Sequence, residues 1–184
     1  YNLLAHTLPQ FGITTRFADP RNLASFDALF DDKTKAVFIE SVSNPQGAVT
    51  DIAALIAQLG APIDLLVAHD WGGAVAWNLA ALKPELLRRL LIINSPHPAT
   101  FLRELRDNPA QQAASAYMNF LCRPDAAALL AETDFARLWP FFENMGGGAW
   151  FDEPMRERYR EVWRQGLEGP LNYYRASPLR PSES

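Results

Sequence analysis

Apolar positions in the first hundred residues come in short runs. Residues 13–18, 35–40, 63–69 and 89–94 each hold one, rich in β-branched or aromatic side chains, as strands buried on both faces do. Between them apolar residues recur at helical spacing: over 23–30 after Asp19-Pro20, over 52–59 behind Thr50 and Asp51, and over 73–82, where Pro84 stops the helix. Alternating strand and helix predicts α/β architecture: three layers, a mainly parallel sheet covered on both faces, and right-handed connections. After Pro98 the strand pattern stops. Helical spacing then carries 101–106, 110–122, 126–139 and 155–165, broken at Arg123-Pro124, at Gly146-Gly147-Gly148 and across 166–170. The expected organisation is an α/β core over 1–98 followed by a helical lid over 99–184, without internal repeats.

Composition narrows the function classes. The chain has 184 residues, 48% hydrophobic and 21% charged, enough to bury a core without staples. No apolar run approaches the ~20 residues a transmembrane helix needs, so no membrane partner is expected. A net charge of −4, with 17 Lys+Arg spread along the chain, forms no basic stripe, and no nucleic-acid partner is expected either. The single Cys122 excludes an intrachain disulfide, and nothing at the start reads as a signal peptide, which makes the cytoplasm the default location. The chain opens at Tyr1 without methionine and closes in a Pro/Ser-rich run, and it reads as a fragment with both natural ends removed. No Gly-rich phosphate loop or metal-ligand cluster is present, so no cofactor and no metal are expected. Oligomeric state leaves no mark on the sequence.

The sharpest local signal lies at Ile63-Asp64-Leu65-Leu66-Val67-Ala68-His69-Asp70-Trp71-Gly72-Gly73: an apolar strand, a turn of small residues around one nucleophilic type, then a helix. This is the pattern of a nucleophile elbow, in which a strained turn lifts the central residue and small neighbours at Ala68 and Gly72 let strand and helix approach. The nucleophile is then Asp70, facing the positive end of a helix dipole, with the Trp71 N–H aimed where an oxyanion develops. The alternative is an Asp that caps an ordinary helix.

From about Asp51 to Pro181 the chain resembles the epoxide hydrolase branch of the α/β-hydrolase family. The resemblance is carried by His69-Asp70-Trp71-Gly72-Gly73, Asn94-Ser95-Pro96-His97-Pro98, Ser115-Ala116-Tyr117 and Leu171-Asn172-Tyr173-Tyr174-Arg175. It implies a small epoxide-like substrate, alkylation of Asp70, and two lid tyrosines, Tyr117 and Tyr174, that donate to the departing epoxide oxygen. Tyr173 competes with Tyr174, either aromatic fits a lid core equally well, and His69 reads as a structural donor beside the turn. The family's His-Gly-x-Pro loop is missing, as are the His base and its acid partner beyond the lid. His6, His69 and His97 match no such motif.

Residues 1–56 instead resemble the O-acetylhomoserine sulfhydrylase group of pyridoxal-phosphate enzymes. The matching stretches are Tyr1-Asn2-Leu3-Leu4, Thr7-Leu8-Pro9, Gly12-Ile13, Phe17-Ala18-Asp19-Pro20, Lys33-Thr34-Lys35-Ala36-Val37-Phe38-Ile39-Glu40-Ser41 and Asn44-Pro45. That resemblance implies a cofactor contact at Asn44, vestigial here, with a plain turn as the alternative. Lys33, Lys35 and Lys83 match no Schiff-base motif, and no carboxylate is set to pair a pyridinium nitrogen. The two resemblances meet at Asp51-Ile52-Ala53-Ala54-Leu55-Ile56, so the chain reads as a chimera. The expected product is an epoxide-hydrolase-like chain with an incomplete site. The alternatives are an enzyme completed by sequence elsewhere and a non-catalytic α/β module.

Overall fold

A computed structural model describes residues 3–42, 49–144, 148 and 151–177. The chain divides into two compact units, residues 1–93 and 94–184.

The first unit centres on one strand–helix–strand motif. Strands β1 (Leu66–His69) and β2 (Leu90–Ile93) pair in parallel, Leu66 opposite Leu90 and His69 opposite Ile93. An isolated parallel bridge between Ile63 and Leu87 extends the ladder backwards. Among the described residues the sheet has these two strands, not the four that the apolar runs predict. Residues 13–18 and 35–40 adopt no regular structure. The reason is that a strand needs a partner ladder, and these segments are tied down by side chains instead. Arg16 donates to Asp31 Oδ2 at 2.9 Å and to Thr34 Oγ1 at 3.3 Å, and Phe17 and Phe38 stay 53% and 72% exposed.

Helices fare better, because their backbone bonds close locally. The first, α1 (Ala24–Asp27), is shorter than its pattern and buries Phe26. In α2 (Ile52–Gln58), Asp51 accepts the Ala54 N–H at 3.0 Å as N-cap, while Leu55 and Ile56 are buried. Burying a leucine such as Leu55 contributes roughly 1.5–3 kcal/mol. Gln58 Nε2 donates to Leu23 O at 3.0 Å and joins α2 to the α1 turn. The crossover α3 (Trp71–Leu82) lies against both strands and buries Gly73 and Ala76, three residues apart.

The second unit is helical throughout its described residues: α4 (Pro98–Asp107), α5 (Pro109–Ala114), α6 (Ala116–Cys122), α7 (Ala126–Phe135), α8 (Trp139–Asn144), α9 (Glu153–Trp163) and α10 (Glu168–Arg175). Two patterns read as single helices are split. Buried Ser115, bonded by Gln111 Nε2 at 2.9 Å, divides 110–122, and a turn with positive φ at Thr133, Asp134 and Phe135 divides 126–139. The breaker read over 166–170 is there, with Gly166 at positive φ between α9 and α10, but it is shorter than expected, because α10 already opens at Glu168. Its Pro170 falls in the first turn, where the amide has no intrahelical partner to lose.

The core of this unit gathers Leu121, Ala126, Leu130, Phe135, Trp139, Phe151, Leu167 and Leu171. Phe142 stacks on Phe151 at 4.8 Å, and Trp163 lies 4.9 Å from Trp139. Arg160 is buried over the Trp139 ring at 5.0 Å, with carboxylates of Asp134 and Glu153 at 2.6 Å and Glu157 at 3.1 Å. The guanidinium of Arg164, then that of Arg160, holds the Glu157 carboxyl below its ordinary range.

Candidate active site

Asp70 is pinned on both sides by backbone bonds. Its N–H donates to Ile93 O at 3.2 Å, continuing the ladder one step past β1, and its carbonyl accepts from Gly73 at 2.9 Å and Ala74 at 3.3 Å, starting α3. Between ladder and helix its backbone sits at φ 52°, ψ −127°. A non-glycine residue there costs about 1–3 kcal/mol, and the surrounding bonds over-determine it. The Asp70 side chain is exposed and makes no capping hydrogen bond to α3. A capping role would need that bond.

Small neighbours matter here in a different place from the expected one. A Cβ built on Gly72 meets no atom within 4 Å, so packing does not require glycine there. The buried small residues of α3 are Gly73 and Ala76. Their three-residue spacing on one helix face was the available signal. The analogous position after β2 is Asn94, also at positive φ (51°), and it is marked in the sequence by an Asn closing an apolar run.

Trp71 is the first residue of α3 and is half-buried, its N–H among those at the helix N-terminus. His69 is exposed on the same sheet face as Val67. His97 has a local role, because its Nδ1 accepts the Ala99 N–H at 3.2 Å and caps α4.

In the second unit the rings of Tyr117 and Tyr174 meet. The centroids are 6.2 Å apart and the planes 78° from parallel. Tyr117 on α6 is 43% exposed, whereas Tyr174 on α10 is half-buried against the unit's core. Tyr173 is also half-buried.

Asn44 lies outside the described residues. The three lysines, Lys33, Lys35 and Lys83, are all exposed. Lys33 and Lys35 belong to the turn around Asp31, where Lys35 Nζ donates to Asp32 O at 3.4 Å. These described residues do not fit a pyridoxal-phosphate site, which needs a sheltered lysine and a carboxylate for the ring nitrogen. Among the described residues no three His, Cys, Asp or Glu gather to hold a metal ion, and no helix is long and apolar enough to cross a membrane.

Residues 1–70 match the family model of Cys/Met metabolism PLP-dependent enzymes, and residues 43–121 that of the α/β hydrolase fold. Human epoxide hydrolase 4 is 30% identical over 94% of this chain and 51% of its own length. Homocysteine synthase of Schizosaccharomyces pombe is 44% identical over 40% of this chain and 17% of its own. A crystal structure of a mutant epoxide hydrolase from Bacillus megaterium superposes with TM-score 0.55 at 33% identity, over 68% of this chain and 45% of that one. The chain spans about half the length of the curated hydrolases it matches. The two family matches overlap over residues 43–70, and the segment Asp51–Ile56 that reads in either family falls inside that overlap. The chain thus resembles two families in succession, Cys/Met metabolism PLP-dependent enzymes over residues 1–70 and the α/β hydrolase fold over residues 43–121, and the proteins it matches include epoxide hydrolases and a homocysteine synthase.

Proposed function

We propose that these 184 residues perform the ring-opening half of epoxide hydrolysis and stop at the covalent ester. A carboxylate oxygen of Asp70 attacks an epoxide carbon. The ring carbon–oxygen bond breaks, and the departing oxygen takes a proton from Tyr117 or Tyr174. The product is a hydroxyalkyl ester of Asp70, and the tyrosinate recovers its proton from water. The Trp71 N–H is the backbone donor for the oxyanion that forms at the Asp70 carbonyl carbon only when water attacks the ester, a step beyond this half-reaction. The observation that carries this reading is the strained Asp70 backbone between ladder and helix, with a carboxylate that does not cap the helix it precedes.

Release requires water activated by a base. His97 is engaged as a helix cap, His69 is exposed beside Val67, and His6 lies in a single π turn, Leu3–Thr7. None is offered as that base. Losing a general base costs a factor of ~10² to 10⁴, so the ester accumulates.

Intact-mass spectrometry after incubation with styrene oxide tests the reading, with Asp70→Asn as control. One adduct per chain, on Asp70, is expected, with little diol formed. Steady diol production shows a complete site, and an unlabelled wild type removes Asp70 as nucleophile.

A further inference from the structure

We infer that Arg175 is a positioning residue for the Tyr117–Tyr174 pair, clamping the C-terminal end of α6 to α10; the inference rests on the ring-opening reading above. Arg175 follows Tyr174 directly on α10, and its side chain is 24% exposed. Its Nη2 donates to Arg123 O at 3.0 Å, across 52 residues of sequence. That carbonyl belongs to the C-cap of α6, the helix that carries Tyr117, and also accepts the Ala126 N–H at 3.2 Å. The other arm, Nη1, donates to Asn172 Oδ1 at 3.0 Å and pairs with Glu168 Oε2, both on α10.

One planar guanidinium thus holds its own helix with one arm and the end of a second helix with the other. The rest of the α6–α10 contact includes buried Leu121 and Leu171. Apolar contact is non-directional and tolerates rotation of one helix on the other. Turning α10 by one residue swings a side chain through about 100° and would carry Tyr174 away from Tyr117. The bond from Arg175 to the α6 C-cap is directional and opposes that rotation, and a cation at a helix C-terminus is favourable besides. Lysine keeps the charge without the fork, so it restores the contact only in part.

The whole chain with Arg175→Met and Arg175→Lys is compared with wild type by two readouts. The first is the nuclear Overhauser contact between the Tyr117 and Tyr174 rings. The second is the rate of Asp70 labelling by styrene oxide, resolved into a maximal rate and a half-saturating concentration. Arg175→Met is expected to remove the ring contact and lower the maximal rate about 10- to 100-fold, the size of a misplacement near 1 Å. The half-saturating concentration stays within about twofold, as expected when the loss lies in the reacting geometry. Arg175→Lys falls between. In a chain carrying Tyr117→Phe and Tyr174→Phe, Arg175→Met has no further effect. The inference is overturned if either variant keeps the ring contact and labels at the wild-type rate, or if the loss persists without the tyrosine hydroxyls. If Arg175→Met does not fold, Arg175→Lys decides. If wild type fails to label, ring opening is lost as a reading and the ring contact alone decides the clamp.

Discussion

The two units treat their apolar side chains oppositely. Among the described residues, the buried hydrophobics of the first are Phe26, Leu55, Ile56 and Ala76, while Phe11, Ile13, Phe17, Phe38, Val67, Leu91 and Ile93 stand exposed. The second buries Leu105, Met118, Leu121, Leu130, Phe135, Trp139, Phe151 and others, and leaves Leu102, Tyr117 and Phe141 exposed. Both units carry the patterning of folded protein. The difference lies in which secondary structure the patterning serves. A helix completes its backbone bonds within itself and then needs only a neighbour for one apolar stripe. A strand needs a partner for its backbone and cover for both faces, and those come from distant sequence. The alternating exposure of β1 and β2 shows a sheet covered on one face only, with Val67, Leu91 and Ile93 on the other.

The comparison breaks most visibly under truncation of matched apolar residues. Leu130→Ala, at a site 3% exposed within the helical core, is expected to cost about 2–5 kcal/mol in urea unfolding followed by circular dichroism. Phe17→Ala, at a site 53% exposed, should stay within about 0.5 kcal/mol. Equal losses would mean that Phe17 is covered in solution, and the contrast between the units would fall.

Local chemistry should be alike in both. Asp51 and Asp152 make the same capping bond, 3.0 Å to the amide of Ala54 and of Met155. Each change to Ala is expected to lose about 1 kcal/mol. Similar losses would place the difference between units in tertiary burial. A much larger loss at Asp51 would show that α2 holds up the first unit by itself.

The smallest effect sharpens how residues 13–18 are held. The side-chain hydrogen bond from Arg16 lowers the Asp31 carboxyl from 3.8 to about 2. A lowered folded value means that the contact stabilises fully above the ordinary carboxylate range. Its contribution is lost as pH falls through about 2. Carbon-detected titration should find Asp31 near that value, and Arg16→Met should move it back toward the ordinary one. An unmoved midpoint would mean that the Lys33 amide and Thr34 hydroxyl, which also donate to Asp31, hold it alone.

Several features were legible in the sequence because they are local. Asp51 before an apolar period marked α2, Pro84 closed α3, and the apolar run ending in His69-Asp70 marked a strand-to-helix turn where the structure has one. The tyrosine contact was legible only through resemblance. Tyr173 and Tyr174 are adjacent and chemically identical, and which ring meets Tyr117 depends on how α10 is rotated against α6. Arg175 was marked only as part of the Leu171–Arg175 match, since a bond to a backbone carbonyl 52 residues away leaves no pattern in the sequence. Gly72 was named as a required small neighbour, yet a Cβ there meets open space and Gly73 is the buried glycine, because sequence spacing does not reveal which position the fold covers.

By itself, then, the sequence determined where α2 starts and α3 stops, which residue sits in the strained turn, and that two family resemblances overlap around Asp51–Ile56. Each of these follows from short-range sterics, from hydrogen bonds within four residues, or from the order of motifs along the chain. Only the tertiary structure decided that the apolar runs at 13–18 and 35–40 make no sheet, that the 110–122 and 126–139 patterns divide, and that Tyr174 is the ring beside Tyr117. The physical reason is common to all three. Strand pairing, helix rotation and burial of side chains such as Ser115 or Arg160 depend on groups distant in sequence, and hydrophobic pattern records only that a side chain avoids water.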